Sequence, residues 1–139
     1  MSVDSAGMAS RLGIKPGMVV QELGWDEDAD EDLRDSIAEV SGSDMVDEDT
    51  DEVADVVLLW WREDDGDLVD ALVDAIASLA DDGVVWLLVP KSGRPGHVEP
   101  GDVTEAAPTA GLAQTSSISA AKDWSGIRLV TPKTARTRR

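Results

Sequence analysis

Two apolar runs, Val56–Trp61 and Val84–Pro90, constrain this chain more than any other feature. Neither alternates apolar with polar residues, so each reads as a strand buried on both faces, as in a parallel sheet. The first strand is placed at Asp55–Trp61 and the second at Val84–Val89. Between them, Asp67–Asp82 sets Leu68, Val69, Leu72, Val73, Ile76, Leu79 and Ala80 on one broad helical face, and Gly83 closes that helix. Buried strand, amphipathic helix, buried strand is the crossover unit of a parallel sheet, and such crossovers are right-handed.

The flanking sequence extends the pattern. Met18–Leu23 reads as a strand and Glu31–Val40 as a helix, with Leu33, Ile37 and Val40 on one stripe. Asp30 is placed to cap that helix and Gly42 to stop it. The acidic connection Asp44–Glu52 is expected to be mobile, with Val46 and Val53 available as anchors. Pro100–Ala107 begins as a short helix that Pro108 should kink or end and Gly111 ends firmly. Ala113–Lys122 and Ile127–Thr131 read as an antiparallel hairpin turning at Asp123–Gly126. The expected fold is an α/β, Rossmann-like sheet of about five strands, mostly parallel, with a C-terminal antiparallel hairpin and helices packed on it. Residues 1–10 are expected to be a disordered leader, 11–133 a single domain with 26–52 acidic and partly mobile, and 134–139 a basic flexible tail.

Composition narrows the chemistry. Without cysteine, disulfides, thiolate catalysis and cysteine-based metal centres are excluded. The five aromatic residues are all tryptophan, so the core must be mainly aliphatic. Trp60 and Trp61 are adjacent on a strand and should face opposite sides. No apolar run is long enough to span a bilayer and none resembles a secretory signal, so the expected location is cytoplasmic. The formal net charge is −17 and it is lopsided: residues 22–82 hold 24 acidic and 2 basic residues, whereas 83–139 hold 4 and 8. Such a first half repels nucleic acid and anionic membrane, and it steers basic partners toward it.

Candidate sites follow from chain position. A nucleotide-binding relative of this fold needs glycines directly after its first strand, so that the backbone approaches the phosphate at a helix N-terminus. Here that position reads Leu23-Gly24-Trp25-Asp26-Glu27-Asp28, with one glycine, an indole and three consecutive carboxylates. This loop repels phosphate, so no cofactor is expected, and Trp25, Asp26, Glu27 and Asp28 become candidate interface residues. Lys91, Arg94 and His97 follow the second buried strand and form a candidate anion-binding cluster at the strand end. His97 has no serine or cysteine partner at a recognisable spacing, so no catalytic residue is assigned. Trp124, in the expected hairpin turn, is placed partly exposed as a further interface candidate. Asp47, Asp49 and Asp51 alternate as in a calcium loop but lack the central glycine, so no metal site is assigned.

From Asp55 onward the order of elements resembles the C-terminal half of the S-adenosylmethionine-dependent methyltransferase fold. A closer resemblance is to a mainly actinobacterial family of small uncharacterised proteins, carried by Leu12-Gly13-Ile14-Lys15-Pro16-Gly17, Ala54-Asp55-Val56-Val57, the segment from Trp86 to Pro90-Lys91, and Asp123-Trp124. It covers nearly all of 11–133, fits the acidic stretch 26–52 least, implies a Rossmann-like domain and brings no catalytic residues. The function expected is a non-enzymatic, acidic interaction or regulatory module that binds a protein with a basic surface, not nucleic acid or membrane. The alternatives are a small-ligand binder or degenerate methyltransferase-like enzyme using the cleft near Lys91–His97, and an acidic mimic of nucleic acid.

Overall fold

The computed structural model describes residues 9–131. Its elements are β1 (Val20–Leu23), α1 (Glu31–Ser41), β2 (Ala54–Trp60), α2 (Leu68–Ile76), β3 (Leu79–Pro90), α3 (Pro100–Thr109), β4 (Ala113–Ser119) and β5 (Trp124–Val130). They build one five-stranded sheet in the order β1-β2-β3-β5-β4. β1, β2 and β3 are parallel, while β5 runs antiparallel to both β3 and β4. This is the expected mixed α/β sheet with its closing hairpin. The expected tail at 134–139 lies outside the described residues, as does the leader except for Ala9 and Ser10. Ala9 is fully buried, with its N–H donated to the Ser36 hydroxyl on α1 (3.0 Å).

Both faces of the sheet are covered, which explains why the central strands are unbrokenly apolar. Val56, Leu58, Trp60, Trp86 and Leu88 pack under α1, through Leu33 and Ile37, and under the segment carrying Leu12 and Ile14. Val57, Leu59, Trp61, Val85, Leu87 and Val89 pack under α2 and α3. Trp60 and Trp61 thus face opposite layers, as strand alternation requires.

The two helix layers conceal a reversal in the winding. If β1 passed through α1 straight to β2, and β2 through α2 to β3, two right-handed crossovers in one direction would put both helices on one face. They lie on opposite faces because the chain first goes the other way. After α1, Val46 bridges Gln21 in parallel, its N–H donating to the Val20 carbonyl (2.9 Å) and its carbonyl accepting from Glu22 N–H (2.8 Å). Backbone groups alternate in direction along a strand, and Val19 offers its carbonyl to Asp55 on the β2 side. Val46 therefore lies on the outer edge of β1, away from β2. The chain moves outward from β1, then returns across it to β2, which makes the β1/β2 carboxyl end the switch point of the sheet.

Caps at α1 are as expected: Asp30 Oδ1 accepts from Leu33 N–H (2.8 Å), and Gly42, at φ +92°, donates to the Ala38 carbonyl. The second helix is shorter than its periodicity suggests. α2 ends at Ile76 rather than Asp82, and Leu79 already pairs with Ala54 of β2. Extending the helix would have placed Asp81 and Asp82 at its negative dipole end. Instead residues 80–83 bulge between the pairs Ala54–Leu79 and Val56–Val84. Gly83 serves that bulge, since a Cβ there would lie 2.5 Å from Leu79 Cδ1. Val73, expected on the apolar face, is half exposed. α3 carries Pro108 in its last turn and ends one residue later at Thr109, the proline removing one hydrogen bond back to the preceding turn. β4 stops at Ser119 and β5 starts at Trp124, so the turn falls at 120–123. Trp124 is consequently a strand residue, 3% exposed, and not the partly exposed turn residue expected.

Two neighbouring substitutions on α2 check this register. Leu72→Ala empties a fully buried position and should lower the urea-unfolding free energy by roughly 2–5 kcal/mol. Val73→Ala should change it by no more than about 0.5 kcal/mol; equal losses at both positions would contradict the helix orientation.

Candidate functional site

Open parallel sheets bind ligands outside the carboxyl ends of strands at the switch point. Here that crevice is filled by the protein itself. β1 ends into Gly24, whose φ is +75° and where a Cβ would collide with the Trp60 carbonyl oxygen. The backbones leaving β1 and β2 therefore touch. Across this contact lies Arg62, a buried residue two positions beyond Trp60. Its Nη1 donates to the Gly24 carbonyl (2.7 Å), to the Trp60 carbonyl (3.4 Å) and to Asp65 (3.3 Å). Its Nε donates to Asp28 Oδ2 (3.0 Å), and its Nη2 donates to Asp28 Oδ1.

Aromatic rings close the remaining sides. The guanidinium lies 5.2 Å from the centre of the Trp124 ring, and Trp124 meets Trp60 edge-on at 4.8 Å. Trp124 Nε1 in turn donates to the Asp28 carbonyl (3.2 Å). The loop 91–97 folds over the same plug: Gly96 sits where a Cβ would be 3.1 Å from Arg62 Cβ, and its carbonyl accepts from Glu63 N–H (2.9 Å). Burial works to lower the Arg62 pKa, but the hydrogen bond with Asp28 and its charge outweigh this, and the net shift is upward. The hydrogen bond from Arg62 holds Asp28 below the usual carboxylate range.

A second arginine organises the outer side of β1. Arg34 on α1 grips Glu22 through Nε (2.6 Å) and Nη2 (2.8 Å) and reaches Glu31 through Nη1 (2.9 Å). Its hydrogen bonds to Glu22 raise its pKa above the usual arginine value. Glu22 also accepts from Trp60 Nε1 (2.9 Å), which links the two arginine networks through the core. Trp25 lies beside Arg34, 5.5 Å from guanidinium carbon to ring centre, with its Nε1 donating to Glu31 (3.3 Å) and half its surface exposed. Glu22, Leu23, Gly24, Trp25, Arg34, Asp47 and Glu48 line an open pocket of about 560 Å³.

The structure divides the candidate residues. Asp28 and Trp124 join the Arg62 plug, Trp25 lines the outer pocket, and Asp26 and Glu27 are exposed in the loop between them. In the expected anion cluster, Arg94 pairs with Asp123 (2.7 Å) and His97 contacts the Pro90 carbonyl through Nδ1 (2.9 Å) and Glu99 through Nε2 (3.7 Å). Lys91 offers its backbone N–H to the Asp123 carbonyl (2.9 Å). Arg94 and Trp124 share a small cleft of about 160 Å³ with Asp28, Pro90, Pro95 and Asp123. Sequence reasoning missed Arg34 and Arg62. They are the two basic residues among the acids of 22–82, and that isolation is the signal that could have found them.

A family model described as "Protein of unknown function (DUF3052)" matches residues 9–133. The chain belongs to that family. Uncharacterised proteins of Mycobacterium tuberculosis and Mycobacterium bovis are each 57% identical to this DUF3052 chain over 129 residues, covering 93% of it and 81% of the relative. Among solved structures, it is similar to the pyocyanin biosynthetic protein PhzM (TM-score 0.67, 13% identity, 92% of this chain and 54% of that one). It therefore spans about half of that protein. It is also similar to the glycopeptide N-methyltransferase MtfA (TM-score 0.60, 14% identity, 94% and 90%). A TehB-like S-adenosylmethionine-dependent methyltransferase from Corynebacterium glutamicum is a further match (TM-score 0.55, 13% identity, 92% and 88%). Identities this low establish for the DUF3052 chain a methyltransferase-like fold alone.

Two measurements probe the plug. Gly24→Ala should cost roughly 2–4 kcal/mol in urea unfolding, from positive φ plus the collision with Trp60, whereas Gly93→Ala, in open space at φ +86°, should cost only about 1 kcal/mol. Because the folded-state pKa of Asp28 is depressed, its stabilising pairing is complete above the unfolded value of 3.8 and is lost as pH falls below it. The stability difference between wild type and Asp28→Asn should therefore hold at pH 7 and shrink steadily below about pH 4; a constant difference down to about pH 2 would refute the pairing.

Proposed function

We propose that this chain is a non-catalytic binding module that receives cationic side chains of a protein partner at the outer carboxyl end of β1. The observation that carries this reading is the lining of the pocket there: a half-exposed Trp25 with Asp47 and Glu48, Glu22 being already held by Arg34 and Trp60. An indole face and carboxylates together favour lysine and arginine. Arg34 is an internal instance, lying beside Trp25 while bound to Glu22 and Glu31. The switch-point crevice, where a relative would seat a cofactor, does not fit one here. Gly24 already touches Trp60, and Arg62 fills the gap with its donors committed to Asp28, Asp65 and two carbonyls.

The fold itself favours a second reading, a small-ligand binder related to methyltransferases. Its ligand would use the outer pocket, whose volume is within the range of small-molecule sites. S-adenosylmethionine is a cation at sulfur and S-adenosylhomocysteine is not, so the pair also tests the charge argument.

The experiment is a titration of a fluorescent arginine-rich decapeptide into the protein, alongside calorimetry with both adenosyl compounds. Binding of the peptide should weaken at least tenfold on Trp25→Ala combined with Asp47→Asn and Glu48→Gln. Removing comparable charge from α3, with Asp102→Asn and Glu105→Gln, should change it less than threefold. Equal losses would reduce the effect to net charge and overturn the pocket. A Kd for S-adenosylmethionine below about 100 μM would overturn the module reading in favour of the second.

A further inference from the structure

At the amino ends of the central strands, opposite the Arg62 plug, the protein has another cavity of about 410 Å³. That volume is within the range of small-molecule sites. Its floor is apolar: Val56 of β2 and Val84 of β3 are register partners, and Leu12 and Met18 join them from the segment before β1. That segment is held from three directions. The Leu12 carbonyl accepts from Trp86 Nε1 (2.8 Å), Gly17 N–H donates to the Ser41 carbonyl at the end of α1 (2.8 Å), and Asp55 Oδ2 accepts from Val19 N–H (2.9 Å). These bonds between distant parts of the chain shape the cavity before any ligand arrives.

Two cations, Lys15 and Arg128, also line it. Among the described residues Arg34, Arg62 and Arg94 each hold a carboxylate, whereas neither Lys15 nor Arg128 pairs with one. Arg128 Nη1 donates instead to the Thr115 hydroxyl (3.1 Å). In a chain of 29 acidic and 12 basic residues, two cations left without a carboxylate on one cavity stand out. They repel each other, and a carboxylate reaching both relieves that repulsion and accepts charge-assisted hydrogen bonds. A plain anion is nevertheless disfavoured, because the chain carries −17 and Asp55 and Asp82 line the same cavity. A ligand with a carboxylate and an ammonium group has no net charge and escapes that repulsion.

We infer that this cavity binds a free α-amino acid with an apolar side chain. The carboxylate is received by Lys15 and Arg128, the ammonium group faces Asp55, and the side chain lies on Leu12, Met18, Val56 and Val84. None of these residues lines the pocket at Trp25, so this site stands or falls independently of the function proposed there.

The test is a two-dimensional amide NMR titration of the full chain with three probes: L-leucine, L-leucinamide, which lacks the carboxylate, and isocaproate, which lacks the ammonium group. Leucine should bind with a Kd below about 1 mM, and each of the other two at least about tenfold more weakly. Lys15→Met, at an exposed position, should weaken leucine about tenfold while the urea midpoint stays unchanged. Asp55→Asn, whose amide oxygen still accepts from Val19 N–H, should weaken leucine but not isocaproate. Trp25→Ala should leave leucine binding as it is. No shift of any amide signal with leucine up to about 10 mM overturns the inference. So does isocaproate or leucinamide binding as tightly as leucine, or a leucine affinity unchanged by both Lys15→Met and Asp55→Asn in protein with the wild-type urea midpoint.

Discussion

The contact between Gly24 and the Trp60 carbonyl, bridged by Arg62, is the constraint on which the carboxyl end of the sheet depends. Only a residue without Cβ lets the chain leaving β1 lie against the end of β2. That approach brings the Gly24 and Trp60 carbonyls within reach of one guanidinium. A buried guanidinium in turn demands a counter-ion and a partner for each donor, or burial would outweigh its attraction. Asp28 and Asp65 supply them, Trp124 covers the charge, and the loop around Gly96 covers the stem. Asp28 in the acidic turn after β1 is therefore required by the plug, in a turn that also departs from a phosphate-binding loop.

Much of the fold is legible in the sequence because burial on both faces leaves a plain trace. The runs ending at Trp61 and Pro90 fit central strands and little else, and Asp30 and Gly42 mark the ends of α1 by chemistry that acts within one turn. Local chemistry also explains where expectation and structure part. Leu79 and Ala80 continue the helical period of α2, yet Leu79 pairs with Ala54, far earlier in the chain, and no local signal encodes that pairing. Trp124 sits among turn-forming residues, yet strand pairing with Pro90 and the edge of Trp60 bury it. The reversal at Val46 is likewise hidden, because a single bridged residue has no periodicity.

The candidate site is legible as an absence and then as a charge, but its organisers are not. Trp25 and the carboxylates 26–28 stand out because they replace glycines that the fold's nucleotide binders require. Arg34 and Arg62 count in the sequence as minor exceptions within an acidic half. Their importance follows from three-dimensional neighbours: Glu22 and Glu31 for one, Asp28 and Asp65 for the other. A rare charge inside a block of the opposite sign has many partners to choose from, and a folded structure buries the pairings that also bring hydrophobic cover.

That choice shapes what the surface can do. Both arginines of the acidic half spend their charge on carboxylates within the chain, and the partners of Arg34, Glu22 and Glu31, also hold Trp60 and Trp25. The remaining carboxylates at this end, including Asp47 and Glu48, line open volume. Each arginine cancels a carboxylate as it is itself cancelled, so the pairing leaves the net negative charge outside β1 as the sequence counts it and places it on carboxylates such as Asp47 and Glu48. The same internal pairing fills the crevice at the end of β1 and β2 and leaves Asp47 and Glu48 lining the outer pocket. The proposed preference for a cationic ligand thus rests on Trp25 and the carboxylates of this pocket, not on the sheet that this chain shares with methyltransferases.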